Sequence, residues 1–356
     1  MFRVEKSTAF GRAGVLETDH GSIRTPFFMP VATAGAMKGL TLEHLHQMGA
    51  GILLCNTLHM HLDPGEDIVE KAKGLHGFVN WKKPILTDSG GYQIFSLRDI
   101  SSVIEDGVTF RSPRDGSSHT LTPESAMEIQ HKLGGDIIMC LDTCPPSTAS
   151  RSEILEAMER TIRWAKRCKN HHEKLCIAQE SKPLLFGIVQ GGLDLQLREE
   201  CAKALQDIGF DGYAVGGLAV GESSEEMFRV LEHTCPLLPE DKPRYLMGVG
   251  RLEQIKKAVS IGIDMFDCVL PMREARHGRL FMNDGTQIRI NRHEYREDHS
   301  TIDAHSPSSL SREHSKSYLH HLFRIGERYG ETIACMQNLS VTLDGMQKIR
   351  ESILNS

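Results

Sequence analysis

Eight short apolar runs, each followed by a stretch with helical punctuation, limit most sharply what this chain can fold into. The runs cover residues 26–31, 52–57, 85–88, 137–142, 185–190, 213–218, 245–250 and 265–270. They are continuous rather than alternating, the pattern of strands covered on both faces. Between them, Thr122, Pro123 and Glu124 supply a cap and an N1 proline, and Gly134 ends the helix they open. Apolar positions 154, 155, 158, 162 and 165 share one helical face, as do Leu197, Cys201, Ala204, Leu205 and Ile208 ahead of Gly209. Ser223-Ser224-Glu225-Glu226 opens a further helix, and Leu252, Ile255 and Val259 mark another that Gly262 stops. Eight β/α units over about 250 residues are the size of a closed parallel barrel. The expected fold is α/β, a TIM-type (β/α)8 barrel. The alternative, a doubly wound open sheet, calls for a glycine-rich phosphate turn after its first strand, and none is present.

Two regions stand outside the repeat. Residues 2–25 read as a hairpin turning at Asp19-His20-Gly21, placed to cap the barrel floor. Residues 278–292 read as a second hairpin around Asn283-Asp284-Gly285, a strong turn signal. Residues 300–317 are rich in Ser, His and Pro and read as weakly structured, and 318–329 read as helix. A last helix at about 341–354 closes the barrel as its eighth. The expectation is one barrel domain over residues 1–356, with 272–340 as a subdomain inserted in it.

Composition narrows the partners. No apolar run approaches the ~20 residues needed to span a bilayer, and the start, MFRVEKSTAFGR, has no signal-peptide core. The nine cysteines, an odd number with no CxxC, sit in apolar segments and read as core thiols of a reducing compartment. A cytoplasmic protein with no membrane partner is expected. The net charge of −6 gives no global pull toward nucleic acid, so a polyanionic partner needs a local basic patch.

In such a barrel functional groups gather at the C-terminal ends of the strands. Those ends carry Asn56, Asp88, Asp142, Gln190, Gly217, Gly248 and Asp267. Any one acid could be a helix N-cap, but three converging on one mouth beside Gln190 point to chemistry. The sharpest case is residues 265–276, MFDCVLPMREAR. An apolar strand, 265–270, is interrupted by Asp267, Pro271 stops it, and a basic run with Arg273 and Arg276 follows. An acid inside an apolar strand is costly unless it is paired or has a task. Cations beside it suit an anionic substrate.

No metal pattern accompanies these acids, since His59 and His61 have no evident acidic partner. Carboxylates without a metal suggest acid/base or nucleophilic work at carbon. A pair serving an oxocarbenium-like transition state is the glycoside arrangement. Asp88-Ser89-Gly90-Gly91-Tyr92 lets backbone approach a flat ligand, with Tyr92 able to stack. Gly216-Gly217-Leu218-Ala219-Val220-Gly221 does the same on strand six, and Met247 and Gly248 offer an apolar wall. Asp142 and Gln190 can read the donor and acceptor edge of a purine. The composite is a pocket for a planar, hydrogen-bonding heterocycle beside a nucleophilic acid.

The stretches TPFFMPVATAGAMKGLT, PILTDSGGYQIFSL, FGIVQGG, GFDGYAVGGLAVGE, KPRYLMGVG and GIDMFDCVLPMREARHG occur in that order over nearly the whole chain. Together they resemble the bacterial-type tRNA-guanine transglycosylases, the queuine tRNA-ribosyltransferase family. The resemblance implies exchange of guanine for a 7-deazaguanine at the wobble position of tRNAs whose anticodons start guanosine-uridine. It implies that Asp267 is the nucleophile on the target ribose and that Asp88 is the acid/base for departing and incoming bases. It implies base binding by Asp142, Gln190 and Gly217, with Ser89, Gly90, Gly91, Tyr92, Leu218 and Met247 lining the pocket. It assigns tRNA contact to Gly248, Val249, Gly250, Arg251, Leu252, Glu253 and Gln254, and to Met272, Arg273, Glu274, Ala275 and Arg276. Arg273, Arg276, Arg279, Arg289, Arg292 and Arg296 then form the basic patch that the net charge hides. A recessed pocket requires the target base to leave its stack.

The chain departs from the family at its structural zinc site, where three cysteines and a histidine are usual. Ser306, Ser308, Ser311 and Gln337 stand there, and hydroxyls and an amide do not replace thiolates and imidazole. His305 and His314 lie nearby, without thiolates. No metal and no other cofactor is expected, which bears on tRNA docking and on the homodimer that the resemblance implies. Met272 also stands where threonine is usual. Cys144 and Val220 resemble the bacterial choices that suit the small aminomethyl precursor base rather than queuine. A non-catalytic tRNA-binding paralogue would have lost Asp88 or Asp267, and both are present. The paired Arg273 and Arg276 argue against a relative acting on DNA or another RNA.

Overall fold

The eight expected strands form one parallel sheet. Its order is Phe27–Met29, Met265–Asp267, Arg244–Leu246, Gly212–Val215, Leu184–Val189, Ile137–Met139, Ile85–Thr87, Leu53–Cys55. A parallel bridge between Val31 and Leu54 joins the first strand to the last, so the sheet closes into a barrel. The structure, a computed structural model, describes residues 1–95, 101–177 and 182–356.

Two apolar layers explain why the strands read as unbroken runs. Met29, Leu54, Leu86, Met139, Phe186, Ile188, Tyr245 and Met265 belong to one cluster, inside the barrel. Their strand neighbours Phe28, Leu53, Ile85, Ile138 and Leu185 belong to a second, packed against the surrounding helices. Both faces exclude water, so both are apolar. The strands are shorter than the runs, however. Asp88 and Asp142 fall in the loops that follow Ile85–Thr87 and Ile137–Met139, while Asp267 is the last residue of its own strand.

The helices keep their expected punctuation. Thr122 and Ser125 form a reciprocal cap on Pro123–Leu133, which Gly134 ends at φ 71°. Ser223 and Glu226 do the same for Ser224–Thr234. The helix marked by apolar positions 154 to 165 runs longer, over Arg151–Ile177.

Several elements differ from the sequence reading. Residues 2–25 form three antiparallel strands, Phe2–Thr8, Gly11–Thr18 and Gly21–Thr25, rather than one hairpin. The expected floor cap does form, because Phe2, Leu16 and Ile23 join the interior cluster. A bidentate ion pair from Arg12 to Asp264, with distances of 2.9 and 2.5 Å, ties this sheet to the base of the last strand. A second antiparallel sheet, Ser101–Ile104, Gly107–Arg111 and Ser118–Leu121, was not foreseen; its strands are short and half polar. Pro271 does not stop a strand. It opens the helix Leu270–Arg276, since proline fits the first helical turn without losing a hydrogen bond.

The C-terminal elements also shift. Lys316–Ile325 is a helix capped by Ser315 and stopped by Gly326, and residues 300–317 contain the short helix Ser309–Glu313. The hairpin at 278–292 forms as Arg279–Phe281 against Gln287–Arg289. The last helix is Arg328–Asn355, beginning well before residue 341. Residues 333–342 are buried on every side, so no apolar stripe announces this helix in the sequence. Asn338 in its middle donates to the carbonyls of Pro271 and Arg279 at 2.9 Å and accepts from the Phe281 amide at 2.7 Å. These bonds fix the last helix to the helix Leu270–Arg276 and to the strand Arg279–Phe281. Among the described residues no helix is long and apolar enough to cross a membrane. All nine cysteines are unpaired.

Candidate active site

The C-terminal rim brings Asp88, Asp142 and Asp267 to one mouth, where the charge of Asp88 is felt by both other acids. Asp88 sits in a saturated cradle. Its Oδ1 accepts from the Thr57 amide at 2.9 Å and the Gly90 amide at 3.2 Å. Its Oδ2 accepts from Asn56 Nδ2 and from Gln93 Nε2. Burial raises this carboxyl above the ordinary range, while the donors pull it down.

Asp267 is arranged differently. Its Oδ1 accepts from the Tyr245 hydroxyl at 2.6 Å and the Gly248 amide at 3.0 Å. Its Oδ2 takes no donor among the described residues, so one oxygen is held and the other is left for chemistry. Burial again raises the carboxyl, and the two bonds oppose it. Gly248 is the residue that lets the backbone amide reach the carboxylate, at φ 76°.

Asp142 and Gln190 form the floor of the neighbouring subsite. Gln190 Nε2 donates to Asp142 Oδ2 at 2.7 Å, and Ser89 Oγ reaches Asp142 Oδ1 at 3.4 Å. Burial pushes the Asp142 carboxyl up to about 6, with the charge of Asp88 adding to the shift. Gln190 Oε1 is buried with no partner, an acceptor available to a ligand. Gly217 is required here. A side chain there would place its Cβ 2.6 Å from Gln190 Oε1, and its φ is +65°. A cavity of about 320 Å³ reaches Gln190 and Gly217 past Pro145, Ser147 and Glu222. Burial pushes the half-buried Cys144 thiol beside this subsite to about 12, so it presents an uncharged wall. Leu218 is buried and Met247 half-buried, while Tyr92 is 53% exposed at the rim.

The sequence reading overlooked three contributors. Tyr245 reads as one more apolar strand residue, yet its hydroxyl orients Asp267. Gln93 follows the glycine turn and closes the Asp88 cradle. Arg198 is fully buried and donates to the carbonyls of Val189, Gly192 and Gly216 at 2.7 to 2.9 Å, locking the loops that carry Gln190 and Gly217. A single cation beside the apolar face of Leu195–Ile208 is the only hint of it in the sequence.

Residues 6–356 match the family described as queuine tRNA-ribosyltransferase. The chain belongs to the queuine tRNA-ribosyltransferase family. Its relatives include the queuine tRNA-ribosyltransferase of Vibrio cholerae, 49% identical over 352 residues, 99% of this chain and 92% of that protein. Those of Vibrio vulnificus and Idiomarina loihiensis are 48% and 46% identical over the same shares of each chain. Membership makes the chain a pentosyltransferase by family.

The remaining positions are placed unevenly in this queuine tRNA-ribosyltransferase fold. Gly248, Arg251, Glu253 and Arg273 are exposed, and Leu252, Gln254, Glu274 and Arg276 are partly so. Val249, Gly250, Met272 and Ala275 are buried, so the side chains of Val249, Met272 and Ala275 serve packing and do not face a polymer. Arg289, Arg292 and Arg296 are exposed, whereas Arg279 is half-buried and paired to Glu274 at 2.9 Å. Ser306 and Gln337 meet: the serine hydroxyl donates to Gln337 Oε1 at 2.6 Å. Gln337 Nε2 in turn donates to the Phe281 carbonyl at 2.8 Å and Asp303 Oδ2 at 3.0 Å. Ser308 and Ser311 are buried beside them, with hydroxyl oxygens that have no partner.

Proposed function

We propose that this chain exchanges guanine at the wobble position of tRNAs for Asp, Asn, His and Tyr, through a covalent bond between Asp267 and the target ribose. The observation that carries the reading is the asymmetric pair of acids: Asp267 with one oxygen held and one open, Asp88 held by four donors across the mouth. Asp267 attacks C1′ as the bond from C1′ to guanine breaks, and the electron pair leaves with the base. Asp88 supplies the proton that guanine takes. The incoming base then loses its proton to Asp88, attacks C1′, and expels the Asp267 carboxylate. Two inversions retain the configuration, as in retaining glycosidases. Base flipping costs a few kcal/mol, which contacts to the anticodon loop from Arg273 and the exposed arginines offset. The test is incorporation of labelled guanine into a tRNA-Tyr transcript, with a transcript lacking the wobble guanosine as control. Equal incorporation into both would end the wobble assignment.

The incoming base is the 7-aminomethyl-7-deazaguanine precursor on this reading, supported by Cys144 and the half-buried Val220 at the subsite. Competition between precursor and queuine for incorporation decides it; preferential uptake of queuine reverses the choice. Base recognition also carries a pH signature. Asp142 must be ionised to accept the two N–H groups of a guanine edge, and its carboxyl lies at about 6. From pH 6 to 5 the carboxylate fraction falls about fivefold, from about one half to about one tenth, so KM for guanine rises over this range. A flat KM over this range removes Asp142 from base binding.

No structural zinc is proposed at Ser306, Ser308, Ser311 and Gln337. Ser306 and Gln337 spend their polar atoms on each other and on neighbouring protein groups, and none of the four offers thiolate or imidazole. The two partnerless hydroxyls yield a sharp expectation, since removing a buried unsatisfied group relieves its desolvation cost. Ser308→Ala combined with Ser311→Ala leaves exchange intact and raises stability by up to about 1 kcal/mol. Loss of a bound ion together with a fall in Tm would contradict the proposal. The reading includes a homodimer, which light scattering at working concentration checks; a protomer mass removes it.

A further inference from the structure

Away from the mouth, the helix Pro123–Leu133 carries His131 and the helix Arg151–Ile177 carries His172 and Cys176. His172 and Cys176 are four residues apart and so share one helix face. His131 Nε2 is hydrogen-bonded to His172 Nδ1 at 3.0 Å, and Cys176 Sγ lies 3.8 Å from that nitrogen and 3.5 Å from His172 Nε2. The three ligand atoms all fall within 4.8 Å of one another. Around a tetrahedral zinc ion, with bonds of about 2.1 Å to nitrogen and 2.3 Å to sulfur, such ligands stand roughly 3.4 to 3.6 Å apart. The His131–His172 hydrogen bond need open only by about 0.4 Å for the three groups to hold one ion.

We propose that His131, His172 and Cys176 bind a zinc ion at the barrel floor, with water as the fourth ligand. Two observations converge. The donor set, one thiol and two imidazoles, suits zinc by softness. His172 and Cys176 are buried, which shields the ion, while His131 is half-buried and lines a floor cavity of about 450 Å³ from which water reaches it. On binding, the Cys176 thiol gives up its proton to solvent. The ion would add a clasp to two helices already joined by the Arg167–Glu124 ion pair, at 2.7 and 2.8 Å, and by His171 facing Glu128 at 2.9 Å.

A second histidine cluster nearby shows the contrast. His20 and His76 stack with ring centroids 3.5 Å apart and planes 16° apart, so their in-plane lone pairs run side by side and do not converge. Each ring already faces its own Asp136 oxygen, at 2.8 and 3.0 Å. That cluster is a hydrogen-bonded latch between the floor sheet and the barrel, not a cation site.

The test uses the full chain, stripped of metal and titrated with cobalt(II). One equivalent should give the near-ultraviolet thiolate-to-cobalt band, which zinc then displaces. The band should vanish in Cys176→Ala and in His131→Gln, and persist in Cys335→Ala and in Ser306→Ala. Circular dichroism confirms that each variant is folded, and His131, the least buried ligand, guards against loss of fold in the cysteine variant. No band, or one that survives both Cys176→Ala and His131→Gln, would overturn the site. A band lost in Ser306→Ala instead would place the ion in the C-terminal subdomain and overturn it equally.

Discussion

Asp267→Ala is expected to abolish guanine exchange, lowering kcat by about 10,000-fold or more, and to abolish the covalent protein–tRNA adduct trapped by denaturing electrophoresis. The size follows from the role. A nucleophile splits one difficult displacement into two easier ones, and no neighbouring group can take its place. Tyr245 and the Gly248 amide hold Oδ1 and leave Oδ2 without a donor, so the carboxylate is already aimed before substrate arrives. Asparagine in the same place keeps the shape and loses the nucleophile, so Asp267→Asn should match alanine in rate while still binding tRNA. Adduct formation in either variant would assign the attack to another residue.

Asp88→Asn is the second large effect, a fall of about 100- to 10,000-fold in kcat, the range for removal of a general acid/base. The adduct test separates it from the first variant. Without a proton donor, departure of guanine slows, so adduct accumulates slowly rather than never. An amide in this cradle also turns an N–H₂ toward one pair of donors, Thr57 with Gly90 or Asn56 with Gln93, which costs part of the hydrogen bonding. Asp88→Ala distinguishes the two contributions by leaving the cradle open. Wild-type rates in both variants would remove Asp88 from proton transfer.

The two acids respond to different partners, which explains why one was easier to read than its surroundings. Asp267 stands out as a charge in an apolar run, and Asp88 as an acid ahead of two glycines. Tyr245 and Gln93 do not stand out, because their roles exist only in contacts made after folding. Tyr245 is 22 positions from the residue it orients. Arg198 was hidden for the same reason, since the three carbonyls it holds belong to two separate loops.

The last helix shows a different failure. Sequence periodicity detects a helix by the contrast between a wet and a dry face. Residues 333–342 have no wet face, and the helix was placed too late. Pro271 failed through context: the same residue ends a strand or opens a helix, and only the turn at Cys268 and Val269 decides which.

By itself the sequence determined the eight-fold repeat, the closed barrel and the identities of the three acids, because continuous apolar runs and misplaced charges are local properties. Tertiary structure alone decided which oxygen of Asp267 is held, that Met272 and Ala275 turn inward while Arg273 turns outward, and that His131 meets His172 and Cys176 across two helices. Those outcomes depend on how distant segments pack, and side-chain direction is set by that packing rather than by the order of residues.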